Sequence, residues 1–372
     1  MTTLVKAAVV RARGEPVRVE SLELQPPREH EVQVRLAASG VCHSDYSVVT
    51  GVMPMKLPCV LGHEGAGVVE EVGPGVEHVR AGDRVVLSWV TPCGACFYCR
   101  EDQPHLCDLG AKINLHHRMP DGSSRLRASG GGEELQSFSA LGAMAERAVV
   151  PAQAAVKLPD HAPLQKAALI GCSVMTGVGA VWNTAGVKPG SRVAVFGVGG
   201  VGLNAIQGAR IAKAERIVAV DVHAKKLELA RRLGATDVVD ASSTDAVKAL
   251  RELTDGRGVD YAFEAIGRKQ TIEQAYASVR RGGTCVVIGI GPRTETVELN
   301  VFMLPVLEKR LLGCWYGGAR VHRDLPRLLE LYEEGTLKLD ELVTRTYALD
   351  EINQAFADME AGANARGLIV FE

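Results

Sequence analysis

Neither sign of charge is in surplus in this 372-residue sequence, where 42 Lys and Arg stand against 44 Asp and Glu for a formal net charge of −2. Without a basic excess, nothing draws in phosphate backbones or anionic lipids over a distance, so no nucleic-acid partner is expected. Aromatic residues are scarce, at 5%. Long apolar runs are missing too: the stretch Arg192–Leu203 is broken by glycines and falls short of the roughly 20 residues of a bilayer span, so no membrane partner is expected. The segment Met1–Arg13 carries Lys6 and Arg11 around a short apolar run with no small-residue cleavage pattern behind it, which predicts a cytoplasmic protein. Glycine, by contrast, is plentiful at 40 residues, in a chain that is 47% hydrophobic and 23% charged. That is the make-up of an ordinary α/β enzyme and excludes a disordered or fibrous chain. The length predicts two domains, each able to bury its own core.

Four of the nine cysteines crowd together as Cys93, Cys96, Cys99 and Cys107. Disulfides between neighbours three apart are strained, and a cytosolic pool is reducing, so a disulfide framework is a poor account of them. Four thiolates on one tight loop can close a tetrahedron around Zn²⁺ with no position left open, the form of a structural site. The iron–sulfur alternative wants a shorter last gap followed by proline, and here the gap is longer and Asp108 follows. A second set, Cys42, His63 and Cys172, is dispersed, and each member alone reads as an ordinary core residue. Together, two thiolates and one imidazole match the ligand count of a zinc site with an open fourth position.

Up to about residue 150, short β-branched runs at 6–11, 31–37, 67–72, 83–87 and 148–150 alternate with Gly/Pro turns, which predicts an irregular all-β unit, a small barrel. Loops are expected at 42–60 and 93–140, with 110–140 a surface loop edging a binding site. From about 174 onward, strands alternate with helical segments, the signature of βαβ units. Strands are predicted at 192–196, 216–220, 261–265 and 284–288, with a helix at 225–233 stopped by Gly234. A last strand at 367–371 is expected to return the tail to the first domain.

Directly after the strand at 192–196 comes Gly197-Val198-Gly199-Gly200-Val201-Gly202, opening a helix. In that context Gly197 permits a tight turn, Gly199 lets the backbone approach a pyrophosphate at the helix N-terminus, and Gly202 allows close helix–strand packing. Asp221 ends the next strand, where a carboxylate accepts ribose hydroxyls and repels a 2′-phosphate, which favours NAD over NADP.

Taken with 40–45 (Gly-Val-Cys-His-Ser-Asp), 62–64 (Gly-His-Glu), 169–172, 263–268 and 315–318, these motifs make the chain similar to the zinc-containing medium-chain alcohol dehydrogenases over nearly its whole length. The resemblance implies an α/β protein with a GroES-like β-barrel catalytic domain, 1–173 plus 318–372, and a Rossmann doubly wound parallel-sheet domain, 174–317, with the active site in the cleft between them. It implies two zinc ions per chain and NAD. Cys42, His63 and Cys172 correspond to the catalytic ligands, Asp45 to the carboxylate orienting the ligating histidine, Ser44 to the hydroxyl taking the alcohol proton, and Glu64 to the acid behind the metal. Thr176 falls at a contact to the nicotinamide, Ile266 and Ile290 among the cofactor-binding residues, His43 and Arg366 at cations against the pyrophosphate, and Lys226 near the adenosine ribose. Met53, Trp89, Phe138 and Trp315 line the implied substrate cleft, with Ile290, and favour an aromatic or extended apolar primary alcohol.

The match departs from the family's pattern at two positions. Ser47 stands where many animal relatives have a proton-relaying histidine, and Ala111 stands where glutathione-dependent formaldehyde dehydrogenases have arginine. A formaldehyde dehydrogenase acting on an adduct of another small thiol, such as mycothiol, stays open as the alternative. A zinc-free reductase on the same scaffold, or a non-catalytic NAD-binding protein, would have no use for the Cys42/His63/Cys172 set. A homodimer or homotetramer is implied, with a sheet edge near 284–290 as the candidate for pairing.

Overall fold

Runs of Val, Ala and Leu suit a pleated surface buried on at least one side, and they become strands in chain order. The computed structural model describes residues 2–372. The chain divides into two units, one reaching Cys172 and taking in Arg320–Glu372, the other Ser173–Ala319.

The first unit holds two sheets. The larger runs Ala155–Lys157, Arg84–Leu87, Gly65–Val72, Glu31–Val41, Arg366–Val370, Val343–Tyr347, with Arg147–Pro151 also paired to Glu31–Val41. The smaller runs Leu126–Ala128, Arg18–Leu24, Thr3–Val10, Cys59–Val60, Gln136–Ser137. The strand Arg366–Val370 pairs antiparallel with Ala38–Val41, so the end of the chain completes this sheet. Arg18–Leu24 alternates exposed Arg18 with buried Leu22 and Leu24, a strand pattern that charge at its start obscures.

Two expectations fail here. The stretches 42–60 and 93–140 are not loops throughout: they contain the helices His43–Thr50, Phe97–Arg100 and Asp108–His116 and the strands Cys59–Val60, Leu126–Ala128 and Gln136–Ser137. Packing supplies what periodicity did not signal. Ile113 is buried with Leu126 and Leu135, and Leu109 packs against the same cluster. The Arg125 guanidinium is buried and grips Glu31, at the start of a strand of the larger sheet, through Nε at 2.7 Å and through Nη2.

The second unit is a six-stranded parallel sheet in the order Asp237–Asp240, Arg216–Asp221, Arg192–Phe196, Val259–Glu264, Val279–Val287, Arg310–Gly313. This is the doubly wound order, and its direction reverses between Arg192–Phe196 and Val259–Glu264, where such sheets bind ligands. The expected sheet edge near 284–290 is not an edge: Val279–Val287 lies between two strands, and Arg310–Gly313 forms the border. The four-residue run Arg310–Gly313 is too short to declare itself by pattern. One helical run, Leu164–Ala185, is long and apolar enough to cross a membrane by length and composition, but 83% of its apolar window is buried inside the protein, as in a core helix.

Candidate active site

Cys42, His63, Glu64 and Cys172 each bring a ligand atom within 4.8 Å of the others, all inside the first unit. They arrive on three separate segments, His63 and Glu64 being chain neighbours. Cys42 caps the N-terminus of His43–Thr50, where the helix end favours a thiolate. His63 follows Gly62, whose φ of +99° and tight approach to the Met144 backbone, 2.2 Å from a hypothetical Cβ, admit only glycine. Cys172 lies in a π-helical stretch, Ile170–Val174, a local widening common at functional sites. There Gly171 lets the helix press onto Leu87, whose carbonyl oxygen would lie 2.4 Å from a Cβ.

Asp45 organises the histidine. It is fully buried on the first turn of His43–Thr50, and its Oδ1 accepts from the Gly62 N–H at 2.9 Å and from His63 Nδ1 at 3.3 Å. With Nδ1 committed to Asp45, Nε2 is the ring nitrogen left to act as a ligand. Burial pulls the imidazole pKa down, but the Asp45 carboxylate and the Cys42 thiol outweigh it and hold His63 well above its ordinary value. A hydrogen bond shared with Cys172 holds the Cys42 thiol well below its ordinary value and raises Cys172 correspondingly. Two soft sulfurs, one oriented imidazole and a carboxylate converging in a buried space fit a zinc ion.

Glu64 and Arg366 form a feature that sequence reasoning missed. Arg366 Nη2 donates to Glu64 Oε2, both residues are buried, and among the described residues Arg366 Nε and Glu64 Oε1 have no hydrogen-bond partner. Arg366 is therefore a buried partner of the metal-set carboxylate. Burial pushes the Glu64 carboxyl up to about 7, against the opposing pull of Arg366. The pair spans 302 positions of sequence, so no local signal reveals it. Gly40 makes room: a Cβ there would lie 2.0 Å from Glu64 Oε2.

Ser44 and His43 begin the same helix as Asp45, Ser44 partly buried and His43 exposed. Phe138 is buried with its ring 4.8 Å from the His63 ring, and the buried His117 ring lies edge-on to it at 5.5 Å, a cluster of rings that nothing in the sequence announced. Met53 packs on the core that includes Phe138, whereas Trp89 packs on a separate core with Val85 and Leu87.

The four-cysteine run also closes on itself. All four sulfurs lie within 4.8 Å of one another, and Cys96 Sγ and Cys107 Sγ are 3.8 Å apart. An edge of about 3.8 Å is what a tetrahedron with Zn–S bonds near 2.3 Å requires. Backbone N–H groups of Ala95 and Cys96 point at Cys93 Sγ and that of Cys93 at Cys107 Sγ, at 3.2–3.4 Å. The Asp108 N–H is the main cause that draws the Cys96 thiol down to about 6. None of the cysteines is in a disulfide.

In the second unit, Gly199 caps the helix Gly200–Ile211 directly after the strand Arg192–Phe196. Gly197 has φ +82°, and a Cβ on Gly202 would lie 1.9 Å from the Gly197 carbonyl oxygen, so this glycine lets helix and strand touch. At Gly199, by contrast, a Cβ meets nothing within 4 Å, which leaves its backbone open to a ligand. The Asp221 carboxylate is locked in place by the N–H groups of Val198, Val222 and His223 at 2.8–3.0 Å. Lys226 is partly exposed on the helix Ala224–Leu233, Thr176 is partly buried on Met175–Gly179, and Ile266, Ile290 and Trp315 are exposed.

Residues 28–160 match the family described as the alcohol dehydrogenase GroES-like domain, and residues 200–334 match the zinc-binding dehydrogenase family. The chain is 42% identical over 368 residues to an NDMA-dependent alcohol dehydrogenase of Amycolatopsis methanolica, with 98% of both chains covered. Among solved structures it is similar to the benzyl alcohol dehydrogenase of Acinetobacter calcoaceticus, at a TM-score of 0.94 and 33% identity with 100% of both chains covered. An alcohol dehydrogenase zinc-binding domain protein from Burkholderia ambifaria matches with a TM-score of 0.96 and 38% identity over 100% of both chains.

Proposed function

The chain belongs to the zinc-dependent medium-chain alcohol dehydrogenases, and from that premise we propose that it oxidises primary alcohols with an aromatic or extended apolar group to aldehydes, reversibly, using NAD. The observation that carries this reading is the convergence of Cys42, His63 and Cys172, with Asp45 fixing the histidine tautomer.

We assign one zinc to that set and a second to Cys93, Cys96, Cys99 and Cys107. When bound, the first supplies Lewis acidity that lowers the pKa of an alcohol, and the nicotinamide supplies the hydride acceptor. The protein's own groups do the rest. Asp45 holds the His63 ring in one orientation; Arg366 offsets the charge that Glu64 brings beside two thiolates; Ser44 Oγ takes the alcohol's proton. The Phe138 ring beside His63 offers an apolar wall, which favours a flat or extended substrate. The glycine turn and the N-terminus of Gly200–Ile211 receive the pyrophosphate, and Asp221 favours NAD by excluding a 2′-phosphate.

The test measures zinc per chain and NADH formation with benzyl and long-chain primary alcohols, beside formaldehyde with and without small thiols. It is run with free NAD and with NDMA, on which the Amycolatopsis relative depends. Turnover of the free alcohols, lost on chelation and restored by zinc, is the expected result. Activity only with formaldehyde plus a thiol overturns the substrate assignment.

A further inference from the structure

One cavity, of about 590 Å³, lies wholly within the first unit and has no part in the roles assigned so far. Its volume falls in the range of small-molecule sites. Four permanent cations line it, Arg13, Lys56, Lys112 and Arg118, and no carboxylate does. Arg118 is already paired, at 2.9 Å to Glu134. Nearby acids are engaged elsewhere or do not reach the lysines: Asp121 pairs with Arg28 and Arg125, Glu134 with Arg118 and Arg127, Glu15 with Arg18, and Asp108, one turn before Lys112, is outside the lining. Among the described residues no ion pair engages Arg13, Lys56 or Lys112, so three cations face one space uncompensated in a chain of net charge −2.

The rest of the lining is not a charged surface. Met55, Ile113 and Met119 are buried there and offer an apolar floor. His117 also lines it; burial pushes this imidazole down to about 4, so it adds no charge near neutral pH. Concentrated positive charge over an apolar floor attracts a ligand with the opposite charge and an apolar body.

We propose that this cavity binds a small organic anion, a carboxylate or phosphate monoester on an apolar body, with Lys56 and Lys112 holding the anionic head and Met55 and Ile113 the body. The site is distinct from the glycine turn, which lies in the other unit. The His117 and Phe138 rings connect its wall to His63.

Calorimetric titration of the zinc-loaded, NAD-saturated enzyme with phenyl phosphate, in a buffer free of phosphate and sulfate, tests this. Saturating NAD removes the pyrophosphate site as a competitor for the probe. The expected result is one phenyl phosphate per chain, weakened by salt, with phenol binding at least about tenfold less well. Lys56→Glu/Lys112→Glu should weaken phenyl phosphate by at least about tenfold, while Lys248→Glu, in the other unit, should not. No binding at millimolar phenyl phosphate, equal binding by phenol, or equal binding to the double variant overturns the proposal. If phenyl phosphate competes with alcohol in steady state, the anion enters as the far end of a substrate. If alcohol KM is unchanged, the ligand is a separate effector. Either result upholds the cavity.

Discussion

Gly40→Ala adds a single methyl group beside the buried Glu64–Arg366 pair. Gly40 sits near the end of the strand Glu31–Val41, and its N–H donates to the Glu64 carbonyl oxygen at 2.8 Å. The new Cβ would lie 2.0 Å from Glu64 Oε2, 2.8 Å from its Cδ and 3.0 Å from Arg366 Nη2. The carboxylate must therefore retreat by about 1 Å or more merely to reach tight van der Waals contact. Rotation does not clear the clash, because Cδ is also too close, and the side chains of Glu64 and Arg366 are 0% and 6% exposed, so there is no solvent to move into. Overpacking alone costs about 1–3 kcal/mol. Pulling apart a buried ion pair costs about 3–5 kcal/mol, and we expect a loss near 4 kcal/mol. At roughly 2–4 °C per kcal/mol for a unit of this size, the melting temperature should fall by about 10 °C. Differential scanning calorimetry of the zinc-loaded protein reads this directly, and zinc per chain should fall as well, since Glu64 stands among the ligand atoms. A melting temperature within about 2 °C of the parent refutes the reasoning. So does additivity: on a Glu64→Ala background the methyl group has room, and Gly40→Ala should then cost almost nothing.

Gly199→Ala is the opposite case. With nothing within 4 Å of its Cβ, stability should change by less than about 0.5 kcal/mol. NAD affinity, measured by fluorescence titration, should fall at least about tenfold, because the methyl group occupies the backbone's line of approach to the pyrophosphate. Arg125→Met strands a buried Glu31 and should cost about 3–5 kcal/mol in urea unfolding, with Arg125→Met/Glu31→Met recovering most of it. Asp83 is held below the usual carboxylate range: burial opposes ionisation, but Lys157 Nζ at 2.8 Å and the Arg80 N–H at 2.9 Å outweigh it. A depressed carboxyl pKa stabilises the fold above the unfolded value of about 3.9 and loses that contribution as pH falls through the folded value. The stability deficit of Asp83→Asn should thus be present at neutral pH and shrink once the pH falls below about 4, as unfolding midpoints at each pH will show.

Some of this protein was written in short stretches of sequence. The run Cys93, Cys96, Cys99, Cys107 closes because its spacing already confines four thiols to one loop. The glycine turn at Gly197–Gly202 acts through the sterics of a few adjacent residues. The parallel-strand half was legible because a strand followed by a helix repeats at short range, and Arg192–Phe196 lies where the pattern put it. Such features depend on chain neighbours, and a linear reading contains those neighbours.

The tertiary structure decided what depends on partners far along the chain. Helix Asp108–His116 exists because Ile113 and Leu109 find a core cluster with Leu126 and Leu135, and Arg125 is ordered by Glu31, 94 positions away. Which strand borders the parallel sheet was set by the pairing of Arg310–Gly313 with Val279–Val287, not by hydrophobic pattern, since Arg310–Gly313 is too short to show one. Cys42, His63 and Cys172 are individually ordinary. Only closure of the sheet containing Glu31–Val41 and Arg366–Val370 brings Arg366 against Glu64 and so places a buried cation beside the candidate metal set. Pairings of that range are selected by burial of the whole unit, and no window of sequence holds both partners.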